Sequence, residues 1–276
     1  MMKIWQDNDK IFVGEIKCLD LDLTLDCGQA FRWSRNEDGS YTGVALSHPL
    51  TVYRDGDNLV LQGTTMEEFR DFWRHYFDLD RDYESICATL KQDELLRSTI
   101  DRYYGIRILN QDGWEALCSF VISQQNNIKR IKTIIRRLCA AYGDDLGGGL
   151  YGFPTPDRLA QVSEEELRAL GLGYRAGYIA QLSRAVAGGE LDLSGVSDMT
   201  LEEAKAFLMN IRGVGVKVAS CALLFGFGFY SAFPVDVWMK RVMEYYPQGL
   251  PECFAGYEGI AQQYLFHWAR NNLKQG

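Results

Sequence analysis

The chain has 276 residues, 47% of them apolar, which is enough for one large domain or two ordinary ones with a substantial core. Its formal net charge of −8 argues against a nucleic-acid partner, because such proteins usually carry net positive charge, unless basic residues cluster locally. No run approaches the roughly 18 apolar residues of a transmembrane helix, and the polar start lacks the apolar stretch of a secretory signal, so we expect no membrane association.

The first part of the chain predicts antiparallel β structure over residues 11–63. Leucines at positions 19, 21, 23 and 25 alternate with polar residues, and this period of two predicts a strand. Residues 52–54 and 59–61 flank a glycine-bearing turn at 55–58, which predicts a β-hairpin.

After residue 64 the pattern becomes helical. Thr155 before Pro156 predicts a helix start, and the glycine-rich segment 144–152 predicts a loop. Three pairs have the spacing of a capping box: Asp112 with Glu115, Ser163 with Glu166, and Thr200 with Glu203. The sequence therefore predicts an α+β fold, with an N-terminal antiparallel β domain over residues 1–80 and a mostly α-helical domain over 81–276.

The seven cysteines are scattered, and no two have Cys-x-x-Cys spacing. An odd number without close pairs is typical of reduced thiols in a cytosolic-type compartment, and it predicts no metal site built from side chains. Basic residues are concentrated in the helical part, where residues 116–143 contain five Lys or Arg and no acidic residue. Such a face can bind phosphates in an acidic protein, and an ordinary solvated helix face is the alternative.

Residues 213–220 read Gly-Val-Gly-Val-Lys-Val-Ala-Ser. A Walker A loop needs Gly-x-x-x-x-Gly-Lys-Ser/Thr after a strand, and neither the spacing nor the preceding helix fits, so an ATP site is poorly supported. Gly213 and Gly215 instead predict a tight turn between two helices, a helix-hairpin-helix at about residues 200–226. The free amides of the second helix suit one phosphate, although a hairpin that needs glycine only for packing is the alternative.

Lys217 lies in the first turn of that apolar helix, without an acidic neighbour in sequence. Burial and the helix dipole both favour its neutral amine, the form that makes a Schiff base. Cys221 shares its helix face, where an ammonium group lowers the pKa of a thiol. Asp236 follows Pro234 in an apolar run, where an N-cap carboxylate stays charged and suits a positively charged sugar. Each residue also has an alternative interpretation. Lys217 reaches solvent or a DNA phosphate, Cys221 is a small core residue, and Asp236 is only a helix cap.

Further segments join this pattern at residues 27–33, 119–131 and 170–176, and at 261–262 with 266. In this order, from about residue 19 to 268, they resemble the 8-oxoguanine DNA glycosylases of the helix-hairpin-helix superfamily. The resemblance implies a bifunctional glycosylase/lyase that flips 8-oxoguanine out of double-stranded DNA and excises it, preferably opposite cytosine. It also implies a monomer that works without a required cofactor and, in a prokaryote, lies in the cytoplasm with the nucleoid.

In this resemblance, Lys217 is the nucleophile that attacks the anomeric carbon and forms the Schiff base that permits β-elimination, and Asp236 supports that chemistry. Four further residues correspond to those that recognise the base. The carbonyl of Gly28 accepts a hydrogen bond from N7–H of 8-oxoguanine, Gln262 reads the Watson–Crick edge, and Phe266 and Cys221 sandwich the base.

The resemblance further implies a set of residues that bind DNA. Tyr174 is the wedge beside the lesion, Arg130 and Arg175 hold the orphaned cytosine, and the hairpin glycines Gly213 and Gly215 take the backbone. Gln125, followed by Asn126 and Asn127, stands where many relatives have the asparagine that fills the vacated stack, and Trp238 stands where many have a phosphate-contacting histidine. The hairpin of the family often binds a monovalent or divalent cation through backbone carbonyls, here those of Met209, Ile211 and Val214.

Two other functions share parts of this pattern. An alkylpurine DNA glycosylase would share the β layer and the hairpin, but such relatives generally lack the lysine and use aromatic pockets. A non-catalytic helix-hairpin-helix module would bind DNA in a salt-dependent way without cleaving it. Excision assays on oxidised and alkylated duplexes distinguish the three.

Overall fold

The computed structural model describes residues 2–273. Its N-terminal part is one six-stranded sheet in which every neighbouring pair of strands is antiparallel. The strands are β1 (Lys3–Asp7), β2 (Lys10–Gly14), β3 (Trp33–Arg35), β4 (Tyr41–Ala45), β5 (His48–Asp55) and β6 (Asn58–Gln62), in the spatial order β1-β2-β6-β5-β4-β3. Asp55 pairs with Asn58 across the tight turn between β5 and β6, so the predicted hairpin is confirmed.

The leucine-rich segment before β3 is a helix, and the prediction of a strand there is wrong. Helix α1 spans Leu21–Leu25, and the carboxylate of Asp20 accepts a hydrogen bond from the backbone N–H of Leu23 at 2.8 Å. Leu21 and Leu25 are buried four residues apart, at the spacing of one helix face. The N-cap therefore outweighs an alternation that is too short to specify a strand.

Most of the remaining described chain is helical. Its α-helices are α2 (Met66–Glu68), α3 (Arg74–Tyr76), α4 (Tyr83–Leu90), α5 (Glu94–Arg102), α6 (Gly113–Ser123), α7 (Ile128–Tyr142), α8 (Pro156–Ala160), α9 (Glu164–Leu167), α10 (Arg175–Ala187), α11 (Leu201–Met209), α12 (Val216–Gly226), α13 (Val237–Val242) and α14 (Glu258–Asn272). Wider π-helical turns occupy Phe69–Trp73 and Arg168–Leu172, and single 3₁₀ turns occupy Val196–Asp198, Met243–Tyr245 and Glu252–Phe254. None of the helices in this part of the chain is long and apolar enough to cross a membrane.

The predicted helix starts are confirmed in detail. Reciprocal capping boxes open α9, through Ser163 and Glu166, and α11, through Thr200 and Glu203. Thr155 caps α8 with proline at the first position, and Asp112 caps α6. The capping-box prediction at α6 holds only for the N-cap, because the side chain of Glu115 bonds to Arg32 and Leu46 instead of returning to Asp112.

The segment predicted as a loop at 144–152 contains a small antiparallel hairpin. Its strands are β7 (Asp145–Gly147) and β8 (Leu150–Tyr151), and Gly147, Gly148 and Gly149 all have positive φ at the turn. Three consecutive glycines supply a conformation that other residues rarely adopt, so a tight turn forms where composition indicated only irregular chain.

Two cores hold the fold together. One lies against the sheet and centres on the fully buried rings of Trp33, Trp73 and Phe77. The other lies among the helices, where α6 packs on α12 and the rings of Phe120 and Phe225 stack with centroids 5.4 Å apart. The predicted fold class, an antiparallel sheet followed by a helical body, is confirmed. The domain boundary at residues 80 and 81 stays a prediction.

Candidate active site

A small pocket lies where α6, α12 and α14 meet two loops, and its volume is about 50 Å³. Ligand pockets usually measure roughly 300–1,000 Å³, so this one is much smaller than usual. It brings together six of the residues predicted from the sequence: Gly28, Lys217, Cys221, Asp236, Gln262 and Phe266. Its remaining walls are Cys27, Phe120, Phe225, Pro234 and Gln263.

Lys217 lies in the first turn of α12, two residues after the N-cap Gly215. Its side chain is half-buried, and Nζ lies 5.4 Å from the centroid of the Phe120 ring. Within residues 2–273 the ammonium makes no salt bridge shorter than 4.0 Å. An amine with no carboxylate partner, at the positive end of a helix dipole, is placed to act as a nucleophile.

Asp236 is the N-cap of α13. Its carboxylate accepts hydrogen bonds from the backbone N–H groups of Trp238 at 3.0 Å and Met239 at 2.9 Å, and the residue is half-buried. Because Asp236 also lines the pocket, the cap and the candidate catalytic acid are the same side chain. A cap and a catalytic carboxylate, the two interpretations of Asp236 from the sequence, are therefore compatible.

The thiol of Cys221 is 4% exposed at the pocket wall. Burial raises the pKa of this thiol above its ordinary value, and the smaller effect of Lys217 in the opposite direction does not cancel it. The expectation of a lowered thiol pKa is wrong because desolvation outweighs the ammonium. Cys221 consequently presents a neutral, weakly polar surface to the pocket.

Gln262 is 4% exposed, and each end of its amide makes one hydrogen bond to a neighbour. Its Nε2 donates to the carbonyl of Pro234 at 3.0 Å, and its Oε1 accepts from Nε2 of Gln263 at 2.7 Å. The oxygen of Gln263 in turn lies 3.5 Å from Sγ of Cys27. This chain of bonds ties α14 to both pocket loops and sets the orientation of the Gln262 amide. Gln263 was missed from the sequence, although it directly follows Gln262.

Gly28 and Phe266 stand on opposite elements of the pocket. Gly28 has φ of 95°, and a Cβ placed there would lie 3.2 Å from Cδ1 of Ile128. Phe266 is half-buried on α14, and the guanidinium of Arg270 lies 5.6 Å from its ring centroid. Gly28 has no side chain, so it lines the pocket with backbone atoms alone.

The loop between α6 and α7 carries the residues predicted to enter the vacated stack. Gln125 is exposed and has φ of 50°, a left-handed conformation that is uncommon for glutamine. Asn126 donates to the carbonyl of Ile122 at 2.9 Å, and Asn127 caps α7. Arg130, in the first turn of α7, is exposed. Gln125 thus projects from a loop whose two asparagines are held by the protein.

Tyr174 and Arg175 lie at the start of α10 and differ sharply in exposure. Tyr174 is 47% exposed, whereas Arg175 is 4% exposed. Nε of Arg175 donates to the carbonyl of Gln124 at 2.7 Å, Nη1 donates to that of Leu172 at 3.2 Å, and Nη2 also bonds to Gln124. Three of the five N–H groups of Arg175 therefore donate within the protein. The other two are left to bind cytosine in its predicted role.

The predicted helix-hairpin-helix is formed by α11, a turn and α12. Gly213 has φ of 88° and Gly215 is the N-cap of α12. Trp238 is half-buried on α13, with the guanidinium of Arg241 at 5.7 Å from its ring centroid. No group of three or more His, Cys, Asp or Glu side chains among residues 2–273 could hold a metal ion. The DNA-binding roles of Gly213, Gly215 and Trp238 stay predictions. The cation site at the carbonyls of Met209, Ile211 and Val214 also stays a prediction.

Basic side chains cluster on α7, directly after the loop that carries Gln125. Four of them are exposed and make no salt bridge with a described residue: Lys129, Arg130, Arg136 and Arg137. Only Lys132 is paired, with Asp26 at 2.6 Å. An unpaired basic face in a chain of net charge −8 is a candidate surface for phosphates.

Two family models together match residues 10–249. The first, "8-oxoguanine DNA glycosylase, N-terminal domain", matches residues 10–117, and the second, "HhH-GPD superfamily base excision DNA repair protein", matches residues 118–249. The second contains the hairpin, Lys217 and Asp236. Gln262 and Phe266 lie beyond its end.

Named relatives match most of the chain. The chain is 34% identical over 241 residues to the N-glycosylase/DNA lyase OGG1 of Arabidopsis thaliana, a match that covers 83% of this chain and 66% of that protein. It is 30% identical over 272 residues to a probable N-glycosylase/DNA lyase of Methanothermobacter thermautotrophicus, covering 87% of this chain and 85% of that protein. A solved complex of the Clostridium acetobutylicum 8-oxoguanine glycosylase/lyase, with double-stranded DNA containing cytosine opposite 8-oxoguanine, is 37% identical. The structural match covers 99% of this chain and 98% of the Clostridium chain, with a TM-score of 0.92.

Proposed function

Since the chain belongs to the N-glycosylase/DNA lyases of the HhH-GPD superfamily, we propose that it excises 8-oxoguanine from double-stranded DNA and then cleaves the strand. The observation that carries this proposal is the convergence of Lys217 and Asp236 on one pocket that Gly28 and Gln262 also line. The enzyme acts as a monomer, requires no cofactor and works where the DNA lies, which in a prokaryote is the cytoplasm.

The proposed reaction begins when the damaged nucleotide leaves the base stack, because its glycosidic bond is inaccessible within a duplex. The amine of Lys217 then attacks the anomeric carbon. A bond forms between Nζ and this carbon, while the glycosidic C–N bond breaks and the base leaves with the electron pair and takes up a proton. The sugar ring opens to a Schiff base, which acidifies the neighbouring C–H and permits β-elimination of the 3′ phosphate.

Asp236 stabilises the positive charge that develops on the sugar as the glycosidic bond breaks. Its carboxylate is held by two backbone N–H groups, so it is oriented before the substrate arrives. A fixed charge in a partly dehydrated site interacts more strongly with a developing charge than the same group in water.

Recognition of the base rests on the backbone at Gly28. Its carbonyl accepts a hydrogen bond from N7–H, a proton that 8-oxoguanine has and guanine lacks. One hydrogen bond discriminates strongly only where the alternative leaves a group unpaired away from water. The neutral thiol of Cys221 and the ring of Phe266 supply the apolar walls that exclude water, and Gln262 reads the Watson–Crick edge.

The opposite strand is read by the loop after α6 and the start of α10. Gln125 enters the vacated stack from its exposed left-handed position, and Tyr174 wedges beside it. Arg130 and the two free N–H groups of Arg175 hold the orphaned cytosine. The hairpin and Trp238 contact the phosphates of the damaged strand.

The proposal is tested by trapping the Schiff base with borohydride. Wild-type protein with a duplex carrying 8-oxoguanine opposite cytosine should give a covalent adduct, whereas Lys217→Ala should give none. Lys17→Ala serves as the matched control and should retain the adduct, because Lys17 is an exposed lysine that pairs with Glu84 and does not line the pocket. No adduct with wild-type protein would refute the lyase step, and excision from an alkylated duplex alone would favour an alkylpurine glycosylase.

The hairpin carbonyls of Met209, Ile211 and Val214 form the proposed cation site. Ile211 already accepts a hydrogen bond from the N–H of Val214 at 3.0 Å, so one of its two lone pairs is used. Backbone carbonyls without a carboxylate suit a weakly bound hard cation. Such a cation would strengthen the hold on a DNA phosphate, and a duplex affinity that changes when potassium replaces tetramethylammonium at constant ionic strength would support it.

A further inference from the structure

Gln124 bonds to two other parts of the chain, although it does not line the pocket and has no role in the proposed function. It ends α6, immediately before the left-handed Gln125. Its Nε2 donates to the carbonyl of Gly213 in the hairpin at 2.9 Å and to that of Val121 at 3.1 Å. Its side chain therefore fastens the loop after α6 to the turn of the helix-hairpin-helix, 89 residues away in sequence.

The backbone of the same residue fastens the loop to α10. The carbonyl of Gln124 accepts from Nε of Arg175 at 2.7 Å and also from Nη2. A guanidinium that meets one carbonyl through two N–H groups has a fixed plane and direction. The remaining N–H groups of Arg175 are consequently aimed by the position of this carbonyl.

Aromatic contacts close these bonds into a ring. The guanidinium of Arg175 lies 4.3 Å from the centroid of the Tyr174 ring, and Tyr174 meets Tyr178 edge-on at 6.0 Å. Tyr178 packs directly on Gly213, where a Cβ would lie 2.4 Å from its Cγ. The path from Gln124 to Gly213, Tyr178, Tyr174 and Arg175 thus returns to Gln124.

We propose that Gln124 is a positioning residue that sets the opposite-base preference, by joining the hairpin, the wedge and the arginine that faces the orphaned base into one rigid unit. The inference rests on the proposed function. The amide of Gln124 anchors to Gly213 and so places the carbonyl that aims Arg175. It also holds the backbone next to Gln125, whose left-handed conformation needs support from its surroundings. None of the five residues in this ring lines the pocket where the damaged base is recognised.

The experiment measures both binding and excision for each opposite base. Duplexes with a tetrahydrofuran abasic analogue opposite cytosine or adenine report binding without chemistry, and 8-oxoguanine duplexes report single-turnover excision. Gln124→Ala removes the anchor, and Gln124→Glu keeps the size but places an acceptor against the Gly213 carbonyl. We expect each variant to lose about fivefold to tenfold of the preference for cytosine, mainly through weaker binding of the cytosine duplex.

Gln161→Ala is the matched control, because Gln161 is an exposed glutamine that ends α8, as Gln124 ends α6. It should retain the full preference. A preference unchanged in both Gln124 variants would overturn the proposal, as would an equal loss for every opposite base, which is what simple destabilisation produces. If wild-type protein excises no 8-oxoguanine, the proposed function fails, while the binding preference on abasic duplexes still decides the role of Gln124.

Discussion

Arg32 and Glu115 form an ion pair with 3.1 Å between Nη1 and Oε2, and their side chains are only 8% and 9% exposed. Glu115 also accepts from the backbone N–H of Leu46 at 3.0 Å, while Arg32 donates to the carbonyls of Leu46 and Tyr151. The pair connects the loop that carries Gly28 to α6, the helix that carries Phe120. It therefore fixes two walls of the pocket relative to each other.

Glu115→Gln should lower the free energy of unfolding by about 3 kcal/mol, because removing one partner leaves the buried guanidinium without a counter-charge. Urea denaturation measures the change. Glu164→Gln is the control, since the pair of Glu164 with Arg168 is exposed and should contribute less than about 1 kcal/mol. Equal losses in the two variants would show that the buried pair contributes nothing beyond a surface one.

Features that depend on neighbours in sequence were predictable. The N-caps at Thr155, Ser163 and Thr200 and the β5–β6 hairpin are local patterns, and the structure contains each of them. Glu115 had the right spacing for a capping box, but its partner Arg32 lies 83 residues earlier, where no local pattern could identify it. The alternation at residues 19–25 failed because one capping carboxylate decided the conformation of a short segment.

The candidate site divides in the same way. Lys217 and Asp236 were singled out from a helix start and an apolar run, the resemblance gave them catalytic roles, and both line the pocket. The pKa of Cys221 was predicted in the wrong direction because the spacing from Lys217 was visible in the sequence and the depth of burial was not. Gln124 escaped notice since its partners, Gly213 and Arg175, are brought to it only by the packing of α6, α10 and α12.

Asp236→Asn should separate the cap of α13 from the catalytic charge. Asparagine is as good an N-cap as aspartate, so the free energy of unfolding should change by less than about 1 kcal/mol. Loss of the carboxylate charge should slow excision by about 100-fold to 1,000-fold under single-turnover conditions. Asp82→Asn, at the exposed N-cap of α4, should leave excision unchanged. Full excision by Asp236→Asn would reduce Asp236 to a structural cap.

Cys18 and Cys221 should differ in reactivity although they are 3% and 4% exposed. The thiol of Cys87, 3.6 Å away, lowers the pKa of Cys18 to about 7, whereas burial raises the pKa of Cys221. The thiolate is the reactive form of a cysteine. The rate of alkylation of Cys18 should therefore reach half its maximum near pH 7, and the rate for Cys221 should still be rising above pH 9. Peptide mass spectrometry after timed iodoacetamide treatment measures both, and faster labelling of Cys221 at neutral pH would contradict the desolvation argument.

Gly213→Ala should damage the hairpin, whereas Gly215→Ala should not. Gly213 has φ of 88° and a Cβ there would lie 2.4 Å from the Tyr178 ring, so alanine should cost about 2 kcal/mol or more of unfolding free energy. A Cβ on Gly215 would meet nothing within 4 Å, and its φ of −92° suits alanine, so that change should stay within about 1 kcal/mol. Urea denaturation compares the two. Once denaturation shows that Gly215→Ala keeps its stability, a loss of duplex affinity in that variant would support the phosphate contact proposed at Gly215. An unchanged affinity would place the DNA backbone elsewhere.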